Sequence, residues 1–271
     1  MELPTLRFQW TWRDAVLYAL GVGCDPGAEL DYVYERRGPQ VLPTFPVLAG
    51  GKMMDTLPSV VELDLRRLLH GTEAVSVLRP LPPEGDVEIR GRISEVWDKG
   101  KAAVIEVETA GYDDEGLLFT VHGSLYVNGA GGFGGERGPS AASAPVPERA
   151  PDYTVCQQIP HHQAALYRLS GDRNPMHIDP DFARAAGFDG PFLHGLCTFG
   201  FVGRAVLQSI CGADLRAFAG LSGRFVGQVW PGDELVTTIW ATDDVSAALQ
   251  TTSSRGAVVI ANGQVTLRAP E

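Results

Sequence analysis

The stretch Tyr167-Arg168-Leu169-Ser170-Gly171-Asp172-Arg173-Asn174-Pro175-Met176-His177-Ile178-Asp179 places a carboxylate and an imidazole five residues apart. On a straight helix side chains at that spacing point in different directions. Gly171 and the Asn174-Pro175 pair break regular structure, because proline disfavours helix at the residue before it. The bend lets Asp172 and His177 turn toward one pocket. A carboxylate and an imidazole that share one water form an acid–base pair. In isolation each of these residues would suit an ordinary turn; the ordered string is what points to chemistry.

The elements around the string have readable boundaries. Asp179-Pro180 caps a short helix that ends at Gly187, with proline at its first position. A longer apolar helix runs from Gly195 to Ile210 and stops near Gly212. Its Leu196, Phe199, Val202 and Val206 recur at helical spacing and predict one buried face. Thr11 is the predicted N-cap of a short helix through Trp12-Arg13-Asp14. Alternating segments between turn residues predict antiparallel strands at Lys101–Thr109, Leu117–Val127, Glu234–Ala241 and Ala257–Leu267. Pro83-Glu84-Gly85-Asp86 and Pro231-Gly232-Asp233-Glu234 open strands in a matching way, so the chain reads as two degenerate copies. Between them 129–152, GAGGFGGERGPSAASAPVPERAPD, lacks apolar periodicity and reads as a linker. The predicted organisation is a first half over 1–128, the linker, and a second half over 153–271, in an α+β architecture.

Composition narrows the partners. The chain has 271 residues, 33 of them acidic against 22 Lys and Arg, for a formal net charge of −11. Without basic runs this argues against a nucleic-acid partner and against docking on an anionic membrane. A polyanionic small ligand stays possible, since a few local cations can hold one. Ala15–Gly23 is too short to span a bilayer. Cys24, Cys156, Cys197 and Cys211 form no CxxC pair, which fits a reduced, cytoplasmic setting and no metal site. Ala269-Pro270-Glu271 is not a peroxisomal address. Gly129-Ala130-Gly131-Gly132-Phe133-Gly134 matches GxGxxG, but Pro139, Pro145 and Pro147 follow where a dinucleotide site needs a helix. His161 and His162 are adjacent, which rarely serves one metal, and His122 sits in an alternating strand as a structural residue. No metal or redox cofactor is implied.

The ordered string resembles the hydratase-2 motif of the MaoC-like, R-specific enoyl-CoA hydratases, Tyr-x-Leu-Ser-Gly-Asp-x-Asn-Pro-[Leu/Ile/Val]-His-x-Asp, with Met176 the one departure. The resemblance continues through Ala186-Gly187-Phe188-Asp189 and from Pro191 to Leu207, including Leu193-His194-Gly195-Leu196. It reaches the first half in Leu69-His70-Gly71 and Trp97-Asp98-Lys99-Gly100, so that nearly the whole chain is similar to the hydratase-2 unit of peroxisomal multifunctional β-oxidation proteins. The resemblance implies a double hot dog, one long helix wrapped by a sheet in each half. The first half lacks a Gly-Asp-x-Asn-Pro string and would keep the fold without the catalysis.

The implied reaction is reversible syn-hydration of a trans-2-enoyl-CoA to a (3R)-3-hydroxyacyl-CoA. Asp172 and His177 would hold the water between them, one removing its proton and the other supplying one to the α-carbon; which does which stays open. Asn174 would orient the water or the Asp172 carboxylate. Gly195, at a helix start where N–H groups point outward, would supply the backbone oxyanion donor. Such a donor is typically worth about 3–4 kcal/mol. His70 and Gly71 would line the acyl-CoA site, Lys99 would contact the CoA, and Phe225 would pack on the ligand. The CoA belongs to the substrate, so no separate cofactor is implied, and the family pairs into homodimers. A second reading is a 3-hydroxyacyl thioester dehydratase acting on an acyl-carrier-protein or a specialised acyl-CoA. A hot-dog thioesterase would not need the Asp172–Asn174–His177 string, and a non-catalytic acyl-CoA-binding subunit would be expected to have lost Asp172 or His177.

Overall fold

In the computed structural model, residues 1–62, 67–139 and 146–269 are described. Pro145 of the linker and the terminal Pro270-Glu271 lie outside the described residues. In chain order the elements are β1 (Leu6–Trp10), α1 (Trp12–Gly21), α2 (Leu30–Val33), α3 (Val47–Met54), β2 (Leu68–Val77), β3 (Gly85–Asp98), β4 (Ala102–Asp113) and β5 (Gly116–Asn128). The second half supplies β6 (Tyr153–Gln158), α4 (Gln163–Tyr167), α5 (Pro180–Ala185), α6 (Gly195–Gln208), β7 (Phe218–Phe225), β8 (Glu234–Asp243), β9 (Ser246–Ser253) and β10 (Val258–Leu267).

Two-residue alternation makes these strands one-faced. Along β9 buried residues alternate strictly with half-buried ones, and β8 and β4 alternate over most of their lengths. Such strands bury one face and leave the other toward solvent. All ten join one antiparallel sheet in the order β1-β3-β4-β5-β2-β7-β10-β9-β8-β6. Reading outward from the middle, each half repeats the other: β2, β5, β4, β3, β1 on one side match β7, β10, β9, β8, β6 on the other. The halves meet where β2 pairs with β7, with Thr72 opposite Arg224 and Ala74 opposite Ser222. This is the double hot dog implied by the motif.

The helices depart from the sequence expectation in two ways. First, the helix lying on the first-half strands is α3, only 8 residues long, against 14 for α6. Pro46 stands at its N-cap and it ends at Asp55, with Pro58 close behind. The helix predicted at Thr11 does form as α1, with Asp14 accepting hydrogen bonds from the Thr11 N–H and hydroxyl at 2.8 Å. It packs against α2 and α4, not along the first-half strands. Second, α6 is buried on all sides, Leu196 through Leu207 without a break, where one buried face was expected. The sheet covers one side, while the segment after α1 closes the other: a Cβ on Gly200 would lie 2.3 Å from Val22 and one on Gly203 2.4 Å from Thr44.

Full burial forces Arg204 of α6 to find partners inside. Its guanidinium forms a buried ion pair with Glu29 and donates to the Val22 carbonyl at 2.9 Å, while Gln208 donates to the same carboxylate at 2.6 Å. Removing one partner would leave a buried charge uncompensated, which costs about 3–5 kcal/mol. Arg204→Met is therefore expected to lower the urea midpoint by that equivalent, and a midpoint equal to wild type would show that the pair does not hold α6 in place. No helix among the described residues is long and apolar enough to cross a membrane.

Candidate active site

The chemistry-bearing string folds as a chain of short turns. After α4 a 3-10 turn spans Arg168–Ser170, and the chain then bends at Gly171, whose φ of +140° lies in a region that side chains disfavour. The Asp172 carboxylate then accepts the Asn174 N–H at 3.0 Å, and the Asn174 side-chain oxygen accepts the Met176 N–H at 3.0 Å. Both are Asx-type turns. They start the 3-10 turn Pro175–His177, whose Met176 is buried and anchors the loop. Asp179 then caps α5, accepting from the Asp181 and Phe182 N–H groups. Asn174 thus supports Asp172 through its backbone N–H, and its side-chain oxygen serves as a cap.

The loop brings Asp172, His177 and His194 together, one side-chain donor atom from each lying within 4.8 Å of the others. The His177 Nδ1–H donates to the Phe192 carbonyl at 2.9 Å. That fixes the tautomer and leaves the Nε2 lone pair as the acceptor. The His194 Nε2–H donates to the Asp172 carbonyl at 3.2 Å, and its Nδ1 is buried with no hydrogen-bond partner among the described residues. The two rings lie 3.9 Å apart, centroid to centroid, at 36°. Burial lowers the His177 pKa below the ordinary 6.5, with Asp172 pulling partly the other way. His194 is lowered further, to about 3, first by burial and then by the neighbouring His177. Both imidazoles are accordingly neutral near pH 7. Carboxylate and imidazole donors at this separation can share one water; among the described residues they are also the group whose type and spacing could hold a divalent metal.

His194 is the N-cap of α6 and Gly195 its first residue, so the site sits against a helix N-terminus. The first N–H groups there lack intrahelical acceptors and favour negative charge. A Cβ on Gly195 would approach the Phe225 ring to 3.4 Å. The Phe225 ring in turn meets His70 edge-on, centroids 5.0 Å apart. Gly71 runs tightly past β5, where a Cβ would lie 2.7 Å from the Ser124 hydroxyl. Asp172, His177, Gly195, Phe225, His70 and Gly71 are therefore linked in one neighbourhood built from both halves.

Lys99 stands apart from that chain of contacts, in the turn between β3 and β4. Its ammonium donates to the carbonyls of Arg137 and Pro139, and the adjacent Asp98 accepts N–H groups of Gly100, Gly132 and Gly134 at 2.8 Å each. Those contacts hold the glycine-rich stretch 129–139 against the β3–β4 hairpin. Sequence reasoning did not single out His194 as a side chain of the site, since Leu193-His194-Gly195 reads first as a helix start; nor did it find Glu73, whose carboxylate lies 2.7 Å from His70 Nε2.

Comparison with known proteins gives an independent view. Residues 8–129 match the MFE-2 hydratase 2 N-terminal domain, and residues 142–263 match the MaoC-like domain. The enoyl-CoA hydratase ChsH3 of Mycobacterium tuberculosis is 46% identical over 248 residues, covering 88% of this chain and 86% of that protein. The peroxisomal enoyl-CoA hydratase 2 of Arabidopsis thaliana is 37% identical, covering 88% of this chain and 84% of its own. Among solved structures, a MaoC-like dehydratase from Phytophthora capsici superposes with a TM-score of 0.87 at 30% identity, covering 98% of this chain and 94% of that one.

Proposed function

The chain belongs to the MaoC-like enoyl-CoA hydratase 2 family, a hydro-lyase family, and from that premise we propose that it catalyses reversible syn-hydration of trans-2-enoyl-CoA esters to (3R)-3-hydroxyacyl-CoA. The observation that carries the reading is the neutral His177 with its Nε2 lone pair free, beside the Asp172 carboxylate and against the start of α6.

The proposed sequence uses one water. His177 Nε2 takes a proton from it while the Asp172 carboxylate accepts a hydrogen bond from its other hydrogen. The resulting hydroxide oxygen bonds to C3, the C2–C3 double bond electrons move toward C2, and charge develops on the thioester oxygen. The Gly195 N–H end of α6 is positioned to stabilise that charge. His177 then returns the same proton to C2, which restores its neutral form and completes the addition of water. Because neither histidine carries a proton to spare at neutral pH, the proton delivered to C2 is the one taken from the water. Delivery and attack from one side give syn addition. The reaction moves no redox electrons, so the proposal includes no cofactor, with CoA as part of the substrate.

The test is the loss of the conjugated thioester absorbance when purified protein meets a trans-2-enoyl-CoA series from short to long chains. Loss of that band with an intact ester and a 3R product, deuterated at C2 on the hydroxyl's face in deuterium oxide, is the expected result. Thiol release would identify a thioesterase, and turnover confined to acyl-carrier-protein esters would move the substrate class. A homodimer and a cytoplasmic setting belong to the same proposal. The exposed apolar pair Leu69 and Tyr126, opposite one another on β2 and β5, supports the first, and three buried free thiols support the second.

A further inference from the structure

Glu73 is a buried carboxyl group that the proposed reaction does not use; burial raises its pKa, and the His70 contact pulls it back down. It lies on β2 with 1% of its surface exposed, and its Oε2 accepts a 2.7 Å hydrogen bond from His70 Nε2. Its surroundings are closed by close backbone approach: a Cβ on Gly123 would lie 2.9 Å from Oε2, and one on Gly50 of α3 would lie 3.8 Å from Oε1. Methionine or leucine could fill such a space without the cost of burying a charge. A carboxylate there has one evident effect, which is to hold His70.

His70 is part of the cleft wall. It is partly exposed, and its ring meets the Phe225 ring edge-on at 5.0 Å. Phe225 lies 3.4 Å from the place where a Gly195 Cβ would stand, so its ring bounds the space in front of the first N–H groups of α6. An imidazole with both χ angles free could not keep an aromatic neighbour in one place. With Nε2 tied to Glu73, the His70 ring has one orientation, and the Phe225 contact is fixed with it.

We propose that Glu73 is a positioning residue of this active site: its carboxylate ties His70, the tied imidazole fixes Phe225, and Phe225 sets where the thioester lies against Gly195. The proposal rests on the hydratase reading, since it assigns the thioester to the space before α6. Displacing a reactant by about 1 Å can cost on the order of a hundredfold in rate. A wall residue acting at one remove should cost less.

The test compares Glu73→Gln, Glu73→Met, His70→Ala and the Glu73→Met/His70→Ala double variant for enoyl-CoA hydration. Glutamine keeps an acceptor for the His70 Nε2–H, so Glu73→Gln should stay within about threefold of wild-type kcat/KM, and Glu73→Met should lose about tenfold. Because Glu73 acts through His70, the double variant should lose no more than His70→Ala alone. A Glu73→Met enzyme with wild-type kcat/KM, or losses that multiply in the double variant, would overturn the proposal. Should Glu73→Met fail to fold, a more than tenfold loss in Glu73→Gln does the same. A substrate-free readout keeps this separate from the hydratase reading. The His70 Nε2–H should give a slowly exchanging low-field NMR signal in wild type and Glu73→Gln, and its absence from wild type would overturn the tie. A wild-type enzyme that shows this signal and hydrates no enoyl thioester would instead overturn the hydratase reading and the positioning role with it.

Discussion

Substituting Asp172 by asparagine is expected to lower kcat by about a thousandfold, because it removes the negative charge that holds the water and stabilises His177 once it has taken the proton. The structure predicts a clean variant. Asp172 is exposed, and asparagine retains a side-chain oxygen that can accept the Asn174 N–H, so the turn should survive. The thermal midpoint should accordingly shift by no more than about 2 °C, as for an exposed substitution that breaks no buried contact. The kcat/KM values for hydration and dehydration should fall by the same factor, because a catalyst leaves the equilibrium constant unchanged. Asp172 also raises the His177 pKa, so whatever activity remains should persist to lower pH than in wild type. The enoyl-thioester absorbance assay, run in both directions, checks all of this. A folded variant within tenfold of wild-type kcat would show that the Asp172 charge neither holds the water nor stabilises the protonated His177.

Much of this site is legible because its logic is local. Gly171, Asn174-Pro175 and Asp179-Pro180 dictate where the chain bends and where α5 begins, and those bends bring Asp172 and His177 together. The strands follow from alternation, and the repetition of the two halves follows from their matched openings. What the sequence hides is non-local. That α6 is buried on every side depends on the segment after α1 folding across it, and no periodicity within α6 records that contact. The tripeptide Leu-His-Gly occurs twice and does two different jobs. At Leu69-His70-Gly71 it is strand, with the imidazole turned to Glu73; at Leu193-His194-Gly195 it starts a helix, with the imidazole under the Asp172 loop. What separates the two is their surroundings: β5 and β7 flank the first in the sheet, whereas the Asp172 loop covers the second. Lys99 is a similar case: the resemblance makes it a CoA contact, while the fold engages its ammonium with the carbonyls of Arg137 and Pro139.

His177→Ala should equal Asp172→Asn in its loss, about a thousandfold in kcat, but it offers a further discrimination. In wild type the active form is the neutral imidazole. Burial lowers its pKa below 6.5, so kcat/KM should hold as pH falls through 6.5 and decline only at lower pH, as Nε2 becomes protonated. The groups facing it act in opposite directions: the Asp172 carboxylate raises that pKa, while the stacked His194, itself neutral down to about 3, adds no charge in the working range. Truncation to alanine leaves a ring-sized space beside the Phe192 carbonyl that free imidazole can enter. Added imidazole should then restore part of the rate, and the restored rate should rise with pH as the neutral fraction of the added base rises. Activity in wild type that falls as pH rises through the His177 pKa, or rescue that grows as imidazole becomes protonated, would mean that His177 enters the reaction as an acid. The proton returned to C2 would then come from a histidine charged at the outset, and the single-water cycle would have to be replaced by one with separate donor and acceptor.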